Sequence, residues 1–285
     1  MNSTGTVASG DVTLFYRRFG SPGAAPVLIL HGANYFDSAD WQSIALGLSR
    51  RREVAAYDQR GFGESTWSPS KDYSNDANIE DILTMLDNFG WKRAVLMGHS
   101  RGALYATLFA AHFPQRTAAL VLIDYAPGAG PPAPVQSVNN SPRVFPTIEA
   151  VMAALSRDKN APPGSTARAR IASFTKPVDG GLILSKRDPD FMNPTPVGST
   201  GWTSKYSTTD MWRELAAVRS PIMILRGTKS DRFPAEAPDR IRREFPHVSL
   251  VDIESAHDMA SIAPQALIAA VDRFLSEGAS AHASH

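Results

Sequence analysis

The sequence predicts an α/β fold with a mostly parallel central sheet, flanking helices and an inserted helical lid. Short apolar runs alternate with amphipathic helices in the first third of the chain, and the alternation resumes after Ser220. Because parallel strands need crossover connections, which are usually helices, this alternation favours a parallel sheet. The chain has 285 residues, of which 43% are hydrophobic, so it can bury a sizeable core.

Each element is assigned from its local apolar pattern. Strands are predicted where short apolar or alternating runs occur, and helices where apolar residues recur three and four positions apart. The predicted strands, in chain order, are Val12–Phe19, Val27–Leu30, Glu53–Tyr57, Ala94–Met97, Ala119–Ile123, Ile222–Leu225 and Val248–Ile253. The predicted helices run through Trp41–Leu48, Ile79–Phe89, Leu104–Ala111, Ala235–Phe245 and Pro264–Leu275.

A proline-rich stretch interrupts this pattern. The segment from Pro127 to Pro196 holds 12 of the 21 prolines, and its one short apolar run is Gly180–Leu184. Helical patterns occur at Ile148–Leu155 and Ala167–Phe174. We therefore predict core residues 1–126, a helical lid at 127–207 and the second part of the core at 208–285. A second independent domain is the alternative, and core strands on both sides of the segment favour the lid.

Composition and charge exclude several classes of function. Lys and Arg total 29 against 28 for Asp and Glu, a net charge of +1, so no basic excess attracts nucleic acid or anionic lipid. The absence of cysteine excludes disulfides, thiolate metal sites and a cysteine nucleophile. No Gly-Lys-Ser/Thr phosphate loop and no H-E-x-x-H metal motif occurs. We expect no cofactor and no metal.

The expected partner is a small-molecule substrate, with no nucleic acid and no membrane. The first eleven residues lack the charged and apolar regions of a leader peptide. No apolar run approaches the roughly 20 residues needed to span a bilayer. These features favour a cytoplasmic protein, and they leave a homo-oligomer open.

The motif Gly98-His99-Ser100-Arg101-Gly102 carries the chemistry. It matches G-x-S-x-G and lies between a predicted strand and a predicted helix, which is the context that this motif requires. A sharp turn there lifts the serine hydroxyl above the carboxyl edge of the sheet, at a helix N-terminus that favours an oxyanion. Ser100 is therefore the predicted nucleophile.

A serine nucleophile needs a general base, and elimination selects His257. The chain order for this motif is Ser, then acid, then His. His257 directly follows the last predicted strand and so lies at the catalytic edge of the sheet. The other histidines precede Ser100, lie in the next helix, precede the last strand or belong to the polar tail: His31, His99, His112, His247, His282 and His285.

Two carboxylates compete for the third position of the triad. Asp231 lies just after the strand Ile222–Leu225, in the more usual place for a triad acid, and is the first choice. Asp124 directly ends the strand Ala119–Ile123 and is the alternative. Both strand ends face the same edge as Ser100.

The segment His31-Gly32-Ala33-Asn34 follows the strand Val27–Leu30 at the same edge. Its predicted use is the backbone N–H of Ala33, which together with the N–H of Arg101 would stabilise an oxyanion. We expect His31 to be structural.

The chain resembles the α/β-hydrolase superfamily, in particular its lidded esterases, lactonases and C–C hydrolases. The matching segments appear in the family's order and are His31–Trp41, Tyr57–Ser65, Gly98–Gly102, Gly227–Asp231 and Ala256–Met259. The resemblance implies a lid inserted after the strand that ends at Asp124. Related dehalogenases and epoxide hydrolases have Asp at the position of Ser100, so serine favours acyl transfer.

Arg101 is shared with haloacid dehalogenases, in which the matching arginine helps to hold a substrate carboxylate. Those enzymes also carry an acid at the position of Asp124. The resemblance therefore implies that Arg101 can bind substrate, and a salt bridge from Arg101 to the lid is the alternative. Asn34 and Trp202 are further predicted substrate contacts.

The expected activity is that of a cofactor-free serine hydrolase that cleaves an ester or lactone of a small or medium, largely apolar substrate. Alternatives on the same fold are hydrolysis of a C–C bond in a β-diketone, cofactor-free oxygen chemistry, and a non-catalytic ligand receptor.

Overall fold

The computed structural model describes residues 2–33, 37–128, 144–155, 171–172, 175–184, 187–188, 191, 205–206 and 210–282. In this part of the chain, ten strands are present: β1 (Ser3–Ser9), β2 (Val12–Phe19), β3 (Ala24–Leu30), β4 (Arg52–Tyr57), β5 (Ala94–His99), β6 (Thr117–Ile123), β7 (Thr175–Val178), β8 (Gly181–Leu184), β9 (Ile222–Gly227) and β10 (Ser249–Ile253).

Eight of the strands described form one sheet in the order β1-β2-β4-β3-β5-β6-β9-β10. The pairs β1–β2 and β2–β4 are antiparallel, and the other neighbours are parallel. The predicted α/β class with a mostly parallel sheet is confirmed.

Helices cover both faces of this sheet. Over the ranges described they are α1 (Gln42–Leu48), α2 (Asn75–Asn88), α3 (Arg101–His112), α4 (Ile148–Leu155), α5 (Met211–Ala217), α6 (Ala237–Glu244), α7 (Met259–Ile262) and α8 (Pro264–His282). None of the helices described combines the length and apolar character needed to cross a bilayer.

Alternating side chains of the central strands build two cores. In β3, Leu28 and Leu30 pack with α2 and α3 on one face, whereas Val27 and Ile29 pack with α1 and α8 on the other. This alternation follows from the two-residue period of a strand, and burial on both faces explains the continuous apolar runs. Each buried Leu or Ile contributes about 1.5–3 kcal/mol to folding. The sheet is therefore a rigid support for the loops at its carboxyl edge.

The first strand, β1, was not predicted. Its sequence, Ser3–Ser9, is small and polar, and it pairs only with β2 at the edge of the sheet described. An edge strand buries little side-chain surface, so its formation depends on hydrogen bonds to β2, which a hydropathy pattern does not record.

Between β6 and β9 the structure describes only parts of the predicted lid. The helix α4 has the predicted bounds, and residues 171 and 172 of the predicted helix Ala167–Phe174 are helical. The helical lid stays a prediction, and the described part of this segment also contains an antiparallel hairpin of β7 and β8, whose turn uses Gly180 at φ 85°. The boundaries at 127 and 207 remain predictions.

Candidate active site

Ser100 occupies a sharp turn between β5 and α3. Its backbone φ of 52° and ψ of −117° lie outside the regions that residues other than glycine readily adopt. A Cβ atom at Gly102 would lie 2.4 Å from the carbonyl oxygen of Leu30, so only glycine lets α3 approach β3 this closely. Gly102 therefore permits the sharp turn at which Ser100 lies.

Parallel register brings the other site residues to Ser100. Gly98 pairs with Leu30 of β3, His99 pairs with Ile123 of β6, and Ile123 pairs with Leu225 of β9. The N–H of Ser100 donates to the carbonyl of Ile123 at 3.1 Å. The carboxyl ends of these strands thus meet at one edge of the sheet.

Asp124 and His257 form a close pair at this edge. The distance between Asp124 Oδ2 and His257 Nδ1 is 2.6 Å, and the Asp124 side chain is fully buried. Asp124 directly follows β6 with φ at 47°, a left-handed conformation that Asp tolerates better than most residues. Because Nδ1 is engaged by Asp124, Nε2 is the ring nitrogen left to exchange a proton.

Two more donors hold the Asp124 carboxylate. The N–H of Gly227 donates to Oδ1 at 2.9 Å, and the Ser230 hydroxyl donates to Oδ2 at 2.5 Å. Burial by itself would raise the pKa of Asp124, but the hydrogen bonds and charge of His257, with the bonds from Ser230 and Gly227, lower it. The carboxylate is therefore ionised at neutral pH.

The predicted pairing of Asp231 with His257 is wrong in this structure. A turn closed by the Ser230 N–H and the Gly227 carbonyl, 3.0 Å apart, presents Ser230 to Asp124. The Asp231 side chain is left 83% exposed, 3.8 Å from Arg232. The carboxylate beside the histidine is instead that of Asp124, the alternative acid.

His99 supports His257 from the turn itself. Its Nε2 donates to the backbone carbonyl of His257 at 2.8 Å, and the two ring centroids are 4.6 Å apart. Burial is the main cause that lowers the pKa of His99 to about 3, and the nearby His257 is the second. His99 is therefore neutral at physiological pH and adds no charge beside His257.

The loop after β3 packs directly against the nucleophile turn. A Cβ atom at Gly32 would lie 3.4 Å from Ser100 Cβ, so this backbone runs beside the serine. His31 is buried and bonds the backbone on both sides, with Nδ1 2.7 Å from the Gly32 carbonyl and Nε2 3.0 Å from the Gln59 N–H. These contacts give His31 a structural role in shaping the loop.

The two predicted oxyanion donors lie on either side of this contact. Ala33 is buried in the loop after β3, and Arg101 is the first residue of α3. The first four N–H groups of a helix have no partner within the helix, so the Arg101 N–H is not used by the α3 ladder. Asn34 and Trp202, the other predicted substrate contacts, lie outside the described residues.

The side chain of Arg101 is half-buried and held by two neighbours. Nη1 donates to the Tyr105 hydroxyl at 3.2 Å, and the guanidinium carbon lies 4.9 Å from the centre of the Phe191 ring. Its buried Nε has no hydrogen-bond partner, and no carboxylate in the described part of the chain pairs with it. A guanidinium without a carboxylate partner has N–H groups that can donate to an anionic group of a ligand.

Three residues around the site were not predicted. Ser230 contacts Asp124, Phe191 covers Arg101, and Arg187 donates from Nη1 to the Ala33 carbonyl at 3.4 Å. Ser230 is adjacent to Asp231 in sequence, so the loop was recognised but the contacting residue was not. Phe191 and Arg187 belong to the proline-rich segment, where no periodic pattern indicated which side chains face the site.

Among the described residues, no group of three or more His, Cys, Asp or Glu side chains is arranged to hold a metal ion. The candidate site brings together the Ser100 hydroxyl, the His257 imidazole held by the Asp124 carboxylate, and the backbone of the loop after β3.

The family model for the alpha/beta hydrolase fold matches residues 25–263. The chain belongs to this family. The match runs from β3 to α7 and includes Ser100, Asp124 and His257. The relatives described next are named as a hydrolase and a lipase, both of which are hydrolytic enzymes.

Two curated relatives and one solved structure are similar over nearly the whole chain. The 2-(acetamidomethylene)succinate hydrolase of Mesorhizobium japonicum is 28% identical over 93% of this chain and 92% of its own length. Lipase LipV of Mycobacterium tuberculosis is 28% identical over 91% of this chain and 97% of its own length. The crystal structure of an E-2-(acetamidomethylene)succinate hydrolase superimposes with a TM-score of 0.77 at 26% identity, covering 97% of this chain and 100% of that chain.

Proposed function

We propose that this hydrolase is a cofactor-free serine enzyme that cleaves a carboxylic ester or lactone through an acyl-enzyme. The observation that carries this proposal is the buried Asp124–His257 pair, 2.6 Å apart, at the same sheet edge as the strained turn of Ser100. A hydroxyl, a base and an acid that orients the base form the combination that nucleophilic catalysis requires.

In the first step, His257 Nε2 removes the Ser100 proton while Oγ attacks the substrate carbonyl carbon. Asp124 accepts from Nδ1–H, so it maintains the tautomer that leaves Nε2 free and stabilises the imidazolium that forms. Collapse of the tetrahedral intermediate breaks the bond to the leaving alkoxide, which takes the proton from His257. The acyl group then remains on Ser100.

The developing oxyanion is stabilised by the N–H groups of Ala33 and Arg101. Each such donor typically contributes 10²–10³ in rate, or about 3–4 kcal/mol. In the second half, His257 removes a proton from water, the hydroxide attacks the acyl carbon, and the returned proton releases Ser100. The products are an acid and an alcohol, or one hydroxy acid from a lactone.

Labelling with a fluorophosphonate probe tests the acyl-enzyme. The wild-type protein should be labelled at Ser100, and Ser100→Ala should be neither labelled nor active on p-nitrophenyl esters. Absence of labelling in a folded wild-type protein would contradict the proposal. Labelling without turnover across esters and lactones would favour a ligand receptor instead.

We further propose that Arg101 selects substrates with a carboxylate near the reacting carbonyl. Support comes from its half-buried guanidinium, which has no carboxylate partner in the described chain, and from relatives named for a succinate derivative, which is a dicarboxylate. This refines the expectation of a largely apolar substrate: Phe62 and Phe191 form a buried apolar cluster with Ala33 and Tyr73, and Arg101 beside Phe191 adds one cationic group.

The p-nitrophenyl monoester of succinate and p-nitrophenyl butyrate form a matched pair for this test. We expect the wild-type kcat/KM to favour the succinate ester, and Arg101→Met to lower that preference by about 10- to 100-fold through a higher KM. The backbone N–H at position 101 is retained, so turnover of the butyrate ester serves as the control. An unchanged preference in Arg101→Met would refute the role of the side chain.

A further inference from the structure

We propose that Ser230 is a positioning residue of the triad: its hydroxyl holds the Asp124 carboxylate in the orientation that receives the His257 ring. This inference rests on the proposed function, because it assigns Ser230 a role in the same site.

The hydrogen-bond geometry gives the Ser230 hydroxyl one direction. Its Oγ lies 2.5 Å from Asp124 Oδ2, and the N–H of Arg232 donates to the same Oγ at 3.1 Å. Because the ionised carboxylate only accepts, the single hydroxyl proton points to Asp124. The Arg232 N–H keeps the hydroxyl from rotating towards another partner.

The carboxylate is held at both oxygens by the last residue of β9 and the loop that follows it. Gly227 donates to Oδ1 at 2.9 Å, while Ser230 and His257 share Oδ2. The carboxylate torsion of Asp is broad, so its orientation depends on such contacts. Without the Ser230 hydroxyl, the Gly227 N–H would still hold Oδ1, but the contact left at Oδ2 would be the His257 ring that the carboxylate orients.

Among the described residues, few other charged groups lie near this pair. His99 packs on the His257 ring from β5 and is neutral, and Asp258, the next residue in the chain, caps α7 through the Ser261 N–H at 3.4 Å. On the loop after β9, Asp231 lies beside Arg232, while Lys229 binds Glu254 at the surface. Within the described part of the chain, the Ser230 hydroxyl is therefore the side chain that shares the Asp124 charge with His257.

This geometry predicts a pH effect with a definite sign. Removal of the hydroxyl leaves more negative charge on Oδ2, which binds the imidazolium form of His257 more strongly. The base then stays protonated to a higher pH. The acid limb of the pH profile of kcat/KM, where activity falls at low pH, therefore moves to higher pH.

The experiment compares Ser230→Ala with Ser230→Thr, which keeps a hydroxyl. On a p-nitrophenyl ester between about pH 5 and pH 9, Ser230→Ala should lower kcat by roughly 3- to 30-fold with little change in KM. The acid limb of its pH profile should move up by roughly half a pH unit to one pH unit. Ser230→Thr should restore both kcat and the position of the acid limb. Ser255→Ala is the matched control, because it removes a buried hydroxyl that bonds the Ala256 carbonyl and should behave as wild type.

A wild-type acid limb in folded Ser230→Ala would overturn the proposal, as would a loss in Ser230→Thr equal to that in Ser230→Ala. An NMR titration of the His257 ring needs no turnover, so it reports the effect even with a poor substrate. If Ser230→Ala unfolds, Ser230→Cys, a weaker donor of similar size, should show a smaller shift in the same direction. Failure of the proposed function would look different, because Ser100→Ala would then retain turnover.

Discussion

At the residue scale, the site depends on which carboxylate meets His257. Asp124 is buried, accepts from the His257 ring, the Ser230 hydroxyl and the Gly227 N–H, and has its pKa lowered by these contacts. Asp231 lies four residues after Gly227, the buried end of β9, and is exposed to water. Charge in a water-excluded site interacts more strongly with an imidazolium than exposed charge does, so burial favours Asp124 as the functional acid.

Asp124→Asn and Asp231→Asn distinguish the two carboxylates. We expect Asp124→Asn to lower kcat by roughly 10³- to 10⁴-fold, because the amide can impose the wrong tautomer on His257. Asp231→Asn should remain within about twofold of wild type, since exposed ion pairs contribute little. Steady-state kinetics on one p-nitrophenyl ester check both variants, and a large loss confined to Asp231→Asn would reverse the assignment.

At the element scale, the close packing of α3 on β3 forms the nucleophile turn. The Cβ position at Gly102 lies 2.4 Å from the Leu30 carbonyl oxygen and 2.6 Å from that of His31, both of which are backbone atoms. Backbone cannot move aside as a flexible side chain can. A larger residue would therefore separate the helix that carries the Arg101 N–H from the loop that carries the Ala33 N–H.

Gly102→Ala should consequently lose both stability and activity. We expect its free energy of unfolding to fall by about 1–3 kcal/mol, as for other overpacked sites, with kcat reduced by at least tenfold. Urea denaturation and ester kinetics provide the two measurements. Gly90→Ala is the control, because a Cβ atom there would meet nothing within 4 Å. Its φ of 67° should lower the free energy of unfolding by about 1 kcal/mol, while activity stays near wild type. Equal behaviour of the two variants would argue against the packing explanation.

At the scale of the whole molecule, one buried carboxylate joins the inserted segment to the core. Asp188 accepts from the Tyr73 hydroxyl and pairs with Lys71 at 3.1 Å, and its own N–H donates to the Gly61 carbonyl at 2.7 Å. The N–H of Phe191 in turn donates to the Asp188 carbonyl at 3.0 Å. Phe191 lies against Arg101, so this contact links the seating of the inserted segment to the anionic subsite proposed above.

Asp188→Asn should therefore affect binding more than chemistry. We expect a loss of about 1–3 kcal/mol in the free energy of unfolding, because buried donors lose their charged acceptor, and a higher KM for the succinate ester. Fluorophosphonate labelling of Ser100 should remain near the wild-type rate, since the small probe does not need the subsite. Asp87→Asn removes an exposed ion pair with Arg116 and should change neither quantity, which makes it the matched control. A wild-type KM in Asp188→Asn would contradict the link.

The amino-acid sequence alone was enough to predict the α/β class, the core strands β2–β6, β9 and β10, the strand-turn-helix motif around Ser100 and the position of His257 after the last strand. Apolar periodicity and a strand-turn-helix motif are local properties, so they can be recognised without knowing which segments meet. The pairing of Asp124 rather than Asp231 with His257, the contact from Ser230 and the surroundings of Arg101 became visible only in the folded chain. Several loops end at one edge of a parallel sheet, and which side chain reaches His257 depends on how each loop turns, which no local pattern records.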